Sequence, residues 1–396
     1  MLHYFNPGNE AAVLNASPYY TLPANPAKMQ RDLFYLPAWY GEKDDFVLVG
    51  NALGQEYPEM LRPFYSLPEA ITIEEFEKKR NLLNGTEVVL WGMSPQSLHL
   101  FEQWNEKYNL NLKIPLPNES YSRLVSRRTA RTCLSGLLEN IPELSHELLP
   151  GFYSSHGIIK QKLEESNVPM LVKAPYSSSG RGLLWVQHPL DRASSQILQG
   201  MLNKQREVSL EKALDKQTDF AMLFYSNPDG TVDFKAYSLF HTDNKGNYKG
   251  NFVGSQEKIK SELFSSVDEI LLEKTKKQLI SIFNAQFSSI YQGCICVDMM
   301  LYRENGNIRL HPCVEINFRY TMGWLAMKLY QYYFAEHTSG SFQIEFQKDP
   351  EKLYEKHLQM MDSYPLVTEN GRIVSGYLPL CPVTKDTNFS AFVVTK

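Results

Sequence analysis

Cysteine is scarce in this chain, five in 396 residues, odd in number and without a C-x-x-C pair, so no paired-thiolate motif organises the fold. Long apolar runs are missing too. No stretch approaches the roughly 18 to 20 apolar residues that a membrane helix needs, which argues against a spanning segment. Charge of either sign is not in excess, with 40 Lys plus Arg against 44 Asp plus Glu for a formal net charge of -4. There is no long basic run and no interleaved basic and aromatic stripe, so nucleic acid is not expected as a partner. The stretch from Met1 to Gly8 has neither a basic start nor an apolar core, hence no secretory signal is read and the expected location is the cytoplasm. Internal repeats, the G-x-x-x-x-G-K-[ST] spacing of a P-loop and the G-x-G-x-x-G fingerprint are all absent. A chain of this length holds two or three packed units at roughly 100 to 200 residues each.

What is present begins with a hairpin. Gly293 to Tyr302 and Ile308 to Ile316 are rich in aliphatic and β-branched residues, and Asn305-Gly306 between them is the strongest short-range signal for a two-residue type I′ turn. With that turn, Glu304 pairs with Asn307, Asp298 with Cys313 and Cys296 with Glu315. Side chains alternate along a strand, so Glu315 and Asn317 share a face and Asp298 lies diagonally across on it. Two carboxylates and an amide set in strands apolar on both faces need a partner, because an unpaired buried charge is very costly. Hard oxygen ligands suit Mg²⁺, which prefers one or two carboxylates plus substrate phosphates. Cys294, Cys296 and Cys313 fall on the same face. They could form a thiolate site for zinc, but packing as small apolar groups is the favoured reading.

A second constellation lies upstream. Val168 to Lys173 reads as a strand and Leu183 to Gln187 as its return. Between them, Ala174 to Gly182 is a loop of small residues carrying Ser177, Ser178, Ser179, Gly180 and Arg181. Glycine lets backbone N–H groups approach phosphate oxygens, serine adds donors, and Lys173 and Arg181 add positive charge. Alone such a loop is weak evidence. Then Val208 to Leu214 runs through Glu211-Lys212 to a polar break, and a new strand is led by Asp219.

In this order the elements resemble the ATP-grasp superfamily across about residues 121 to 335. The resemblance implies an α/β (α+β) ATP-grasp fold with an N-terminal α/β domain, divided as 1–120, 121–212 and 213–396. It implies ATP and one or two Mg²⁺ as cofactors. Carried over residue by residue, Lys173 would touch the α- and β-phosphates, and the flap from Ser177 to Gly182, with Ser178, Ser179, Gly180 and Arg181, would close over the β- and γ-phosphates. Glu211, Lys212 and Leu214 would line the adenine pocket, the last two through backbone groups, and Asp219 would bind the ribose. Asp298, Glu315 and Asn317 would hold the metal, while Arg319 would steady developing negative charge. Two departures stand out. Arg127-Arg128 occupies the place of a segment typically carrying Asp-Lys, with Arg128 as the expected phosphate contact, and Cys296 stands where peptide-forming members often have arginine. Lys235 is a secondary candidate for the missing charge. The implied activity is ATP-dependent joining of a small-molecule carboxylate to an amine or thiol, with ADP and phosphate released. A small-molecule kinase or a non-catalytic nucleotide-binding module are the alternatives. The partners would be those small molecules, and a homodimer is compatible with them.

The N-terminal segment reads as an α/β layer, with strands at Phe46 to Val49 and Val88 to Leu90 and helices at Ile73 to Leu83 and Ser94 to Lys107. Asn15 to Tyr40, dense in Tyr and Pro, reads as an extended or loop segment that could cover a pocket. The turn from Phe5 to Glu10 follows a short apolar strand, where open α/β sheets bind ligands, and Asn9 and Glu10 could hold an amine or hydroxyl. A plain Pro-Gly turn before a helix fits those residues equally. One amphipathic helix is expected over Ser265 to Phe287, another over Asp349 to Met361, and a strand pair over Gly371 to Val383.

Overall fold

Short apolar triplets seed the first layer of the computed structural model, which describes residues 1–50, Tyr57, Leu61, 64–177, Gly180, 182–187 and 189–395. Leu2–Tyr4 (β1), Phe46–Leu48 (β2), Glu69–Ile71 (β3) and Val88–Leu90 (β4) pair in parallel, in the order β3-β2-β1-β4. Leu2, Leu48, Ile71, Val88 and Leu90 meet Phe76, Leu83 and Phe101 in one core. The helix Pro95–Tyr108 starts as its sequence predicts, because the Ser94 hydroxyl accepts from Ser97 N–H and Pro95 fills the first turn.

Two expectations for this layer are corrected. Ala24–Asp32 is an α-helix and Leu36–Trp39 a 3₁₀ turn, not an extended segment. Burial overrides the Tyr and Pro content there, since Leu33, Tyr35, Leu36 and Trp39 are sealed from solvent and Trp39 Nε1 donates to the Leu380 carbonyl at 2.8 Å. Ile73 to Leu83 splits into a 3₁₀ turn, Ile73–Glu75, and a short helix, Arg80–Leu83, after the Thr72 and Glu75 capping box closes the first turn tightly.

The chain then builds an antiparallel sheet from Gly151–Tyr153 (β5), Met170–Lys173 (β6), Leu183–Val186 (β7) and Val208–Lys212 (β8), in the order β5-β8-β6-β7. The helices His156–Glu165 and Arg192–Gln205 cover it through Ile159, Leu163, Leu198 and Leu202. Next come Asp215–Ser226 (β9), Val232–Thr242 (β10), Tyr248–Val253 (β11), Gly293–Glu304 (β12) and Asn307–Asn317 (β13). β9 pairs with both β10 and β12, and β12 with β13. The expected amphipathic helix forms as Glu269–Gln286, capped by Asp268, and its Phe283 meets Phe224 of β9 at 5.3 Å.

The remaining strands, Gly340–Phe346 (β14), Val367–Glu369 (β15), Arg372–Pro379 (β16) and Phe389–Thr395 (β17), continue from β11 as an antiparallel series β11-β14-β17-β16-β15. The tail helix is Pro350–Ser363, capped by Asp349. These pairings gather the chain into two compact units. One is Met1–Pro117, Lys249–Lys258 and Arg319–Lys396, and the other is Asn118–Tyr248 and Ile259–Phe318. Among the described residues no helix is long and apolar enough to cross a membrane.

Asn305 and Gly306 make the predicted turn, with φ of 51° and 81°, and Glu304 pairs with Asn307. Farther along the register departs from the ideal count: Met300 opposes His311 as counted, yet Asp298 opposes Glu315 and Cys296 opposes Asn317. A bulge takes up two residues of β13 between His311 and Glu315, where Pro312 offers no N–H to the ladder. A shift of two keeps every side chain on its face, so Asp298 moves from diagonal to directly opposite Glu315. The turn itself depends on left-handed backbone, and Gly306 has open space around its Cα. Gly306→Ala should therefore cost about 1 kcal/mol of unfolding free energy by urea titration, all of it backbone conformation.

Candidate functional site

The second unit holds a narrow cleft lined by Arg127, Lys173, Ser209, Glu211, His311 and Cys313. Lys173, at the end of β6, is 5 % exposed and ion-paired to Glu211 of β8, which lies beside it in the ladder region where Leu171 opposes Glu211. Arg127 starts the helix Arg127–Asn140 and points a guanidinium into the cleft, with Nη2 2.9 Å from Glu315 Oε2. Its Nε is buried and has no hydrogen-bond partner among the described residues. Neither His311 nor Arg127 was singled out as a ligand by sequence. His311 carries no motif, and Arg127 differs from Arg128 only in helix face.

Arg128, the expected phosphate contact, turns elsewhere. Its guanidinium is bidentate on Glu207, with Nε 2.6 Å from Oε1, lies over the Phe152 ring and is largely exposed. Successive helical residues are rotated by about 100°, so only one of the two arginines can face the cleft, and that one is Arg127. Lys235, the secondary candidate, is on β10 beside Asp233 at 3.0 Å and over the Tyr225 ring.

The hairpin face gathers Asp298, Glu315 and Asn317 as expected. Asn317 Nδ2 donates to Asp298 Oδ2 at 3.0 Å, and the Cys296 thiol donates to Asp298 Oδ1 at 3.3 Å. These oxygens fit a hard divalent cation: two carboxylates directly opposed on adjacent strands, with an amide that presents its oxygen on rotation. Among the described residues no group of three or more His, Cys, Asp or Glu side chains is placed to hold a metal.

Of the flap, Ser178, Ser179 and Arg181 lie outside the described residues. Gly180 has φ +74°, and a Cβ on it would fall 2.5 Å from the Gly246 carbonyl oxygen, so the flap backbone lies against the turn after β10. Ser177 Oγ donates to the Ala174 carbonyl at 3.3 Å. In the hinge, Lys212 places its ammonium on Glu147, Ala213 N–H donates to the Pro169 carbonyl at 2.9 Å, and the Leu214 carbonyl accepts from Lys216 at 3.0 Å. Asp219 is held by Lys216 at 2.7 Å and by the Thr242 hydroxyl at 2.6 Å. Arg319 belongs to the first unit, where its Nε lies 2.5 Å from Glu10 Oε1 and its Nη1 donates to the Tyr320 carbonyl at 3.1 Å.

No protein-family model and no curated protein matches the chain. Solved structures do. N5-carboxyaminoimidazole synthetase from Staphylococcus aureus complexed with ADP is 12% identical, with a TM-score of 0.50 over 100% of this chain and 93% of that one. Biotin carboxylase from Campylobacter jejuni in a β,γ-ATP complex is 11% identical, with a TM-score of 0.53 over 100% and 87%. The biotin carboxylase domain of the Hydrogenobacter thermophilus 2-oxoglutarate carboxylase, in complex with MgADP, ADP and bicarbonate, is 11% identical with a TM-score of 0.50 over 100% and 86%. These likenesses show the fold, which is the ATP-grasp fold with an N-terminal α/β domain.

Burial, with the Lys173 ammonium nearby, pushes the His311 imidazole down to about 3. The folded chain thus keeps it neutral where the unfolded chain protonates it below about 6.5. Its contribution to stability is complete above that value and is lost as pH falls from 6.5 toward 3, at up to about 1.4 kcal/mol per pH unit. His311→Gln should flatten the fall in urea midpoint between pH 7 and pH 4.5. An unchanged slope would place the acid sensitivity elsewhere.

Proposed function

We propose that the chain is an ATP-dependent ligase that joins a small-molecule carboxylate to an amine or thiol through an acyl phosphate. The observation that carries this reading is the pair of cations, Lys173 and Arg127, lining one cleft, with Arg127 ion-paired to Glu315 on the hairpin face it shares with Asp298 and Asn317, in a chain with the ATP-grasp fold. The solved structures with ADP or MgADP support nucleotide binding by the same fold.

In this reading Lys173 binds the α- and β-phosphates, and Arg127 takes the phosphate role expected of Arg128. Its unpartnered Nε supplies a donor that a phosphate oxygen satisfies. The loop around Gly180 is the part expected to cover the β- and γ-phosphates and exclude water. Glu211, Lys212 and Leu214 form the adenine side and Asp219 the ribose side. Asp298, Glu315 and Asn317 would hold Mg²⁺, which when bound supplies charge neutralisation at the β- and γ-phosphates. A carboxylate oxygen of the first substrate attacks the γ-phosphorus, the bridging P–O bond breaks and ADP leaves. The acceptor amine then attacks the acyl carbon and loses a proton, and inorganic phosphate departs with the C–O electron pair. The enzyme needs no covalent nucleophile of its own: it aligns the substrates and neutralises charge. A cytoplasmic location, where ATP and Mg²⁺ are plentiful, fits such an activity.

Removing Lys173 alone would strand Glu211 in the cleft, so the test uses both Lys173→Met and the double variant Lys173→Met/Glu211→Gln. Calorimetry at saturating Mg²⁺ should show ATP binding to the wild type, weakened in each variant by about 1.5 to 3 kcal/mol, the scale of a charge-assisted hydrogen bond. Full affinity in both would remove Lys173 from the phosphate site.

The reaction class is read from the fate of the γ-phosphoryl group. With γ-labelled ATP and pairs of small carboxylates and amines, label should appear in free phosphate only when both co-substrates are present. Hydroxylamine should trap a hydroxamate when the acceptor is withheld. Label retained on a hydroxyl compound would establish a kinase instead, and nucleotide binding without turnover for any pair would favour a non-catalytic module.

A further inference from the structure

His311 stands opposite Met300 in the β12–β13 ladder, and farther along Glu315 stands opposite Asp298. Met299 alone therefore faces Pro312, Cys313 and Val314, and the bulge leaves the Cys313 N–H without a regular place in the ladder. That N–H donates to Nδ1 of His311 at 3.4 Å. A neutral imidazole carries one proton, and the bond made by one ring nitrogen decides which nitrogen holds it. Nδ1 is the acceptor here, so Nε2 bears the hydrogen. The residue's own backbone also reaches the ring, but a proton on Nδ1 would set two N–H groups against each other. Neutrality has a separate cause, since burial and the nearby Lys173 ammonium both disfavour the imidazolium.

The Nε2 donor has no hydrogen-bond partner among the described residues. His311 is 5 % exposed and lines the cleft together with Arg127, Lys173, Ser209 and Glu211. In that lining the Ser209 hydroxyl donates to the Lys173 carbonyl at 3.5 Å, the Lys173 ammonium holds Glu211, and Arg127 holds Glu315 through Nη2 while its Nε stays unpartnered. A histidine buried only as core finds an acceptor for its N–H. Here the carboxylates already have cations, so the cleft is short of acceptors and its occupant has to bring them.

We propose that His311 is a binding residue for the nucleotide, and that its Nε2 donates, as a neutral group, to an oxygen of the phosphate chain held by Lys173. The nearness of Lys173 selects the phosphates over the base. A neutral donor suits this position. Lys173 and Arg127 already supply positive charge, and an imidazolium would add more of it against them. A neutral N–H adds a directed hydrogen bond to a charged oxygen without that repulsion.

What the cleft holds is taken from the ligase reading, and the experiment keeps the two apart. On the full chain, nitrogen NMR of the imidazole reads the tautomer. Calorimetry measures binding of ADP, of a non-hydrolysable ATP analogue with Mg²⁺, and of adenosine. His311→Leu and His311→Met remove the donor, the second with a flexible chain that fills the same space, whereas His311→Gln carries an amide N–H to the place of Nε2. The ring should hold its proton on Nε2. Loss of one hydrogen bond to a charged group should weaken ADP and the analogue roughly tenfold in the Leu and Met variants, and by no more than about threefold in the Gln variant. Adenosine should show no difference among these proteins. A proton on Nδ1, equal losses in the Gln and Met variants, a loss for adenosine as large as that for ADP, or full affinity in the Leu and Met variants overturns the contact while the ligase reading stands. Failure of the wild type to bind either nucleotide overturns the ligase reading, and the contact with it.

Discussion

Among the described residues the buried charges sit beside their opposites, and the cleft of the second unit is arranged around that constraint. Taking a carboxylate or an ammonium out of water costs several kcal/mol even after relaxation. Lys173 meets that cost with Glu211 and Arg127 with Glu315, while His311, in the same lining, stays neutral. Two such pairs are weak evidence for stability, because apolar residues of similar volume would serve a core as well. They are a stronger sign of a site whose charges exchange partners. On the ligase reading, a polyphosphate brings the negative charge that Glu211 now lends to Lys173, and its divalent cation brings the positive charge that Arg127 now lends to Glu315. Binding then swaps counter-ions and strands none.

The same rule orders the first unit. Asp32, almost fully buried, accepts from the N–H groups of Asn388 and Phe389 at 2.8 and 3.0 Å and from Arg31 Nε at 2.7 Å. That carboxylate fixes the start of β17 to the helix Ala24–Asp32. The Glu10 and Arg319 pair does similar work, with one difference: Asn9 leaves an acceptor oxygen unused beside it.

Much of this was legible in the residues. Asn305-Gly306 specifies a turn that only left-handed backbone can make, and the apolar strands around Asp298 and Glu315 imply carboxylates in need of partners, which the structure leaves half-buried. Alternation does the rest, which is why Asp298, Glu315 and Asn317 share a face even though the register between them slips by two. The slip was not legible, because Pro312 can sit at a bulge or a strand edge and a single sequence does not say which. Arg127 against Arg128 failed for a related reason: spacing locates a helix start but not its rotation to within one residue. His311 gave no local signal, since one histidine in an apolar strand reads as core. The segment Asn15 to Tyr40 misled through composition. Its helix and 3₁₀ turn are held by distant partners such as the Leu380 carbonyl, which no local window contains.

The cysteines show how neighbouring chemistry narrows the choice of metal. Cys296 stands opposite Asn317 and within two residues of Asp298, close enough that a thiolate would be drawn into any soft-metal site on this face. Its sulfur instead donates to Asp298 Oδ1, and the Cys313 sulfur donates to the Ala130 carbonyl at 3.5 Å. Burial also pushes the Cys313 thiol well above its ordinary value. The Cys296 thiol therefore acts as a weak donor to the Asp298 carboxylate, as hydrogen-bonding groups around a ligand commonly do. What remains for a cation is the oxygen of two carboxylates and an amide, a set too hard for zinc-thiolate chemistry and matched to a divalent ion that arrives with phosphate.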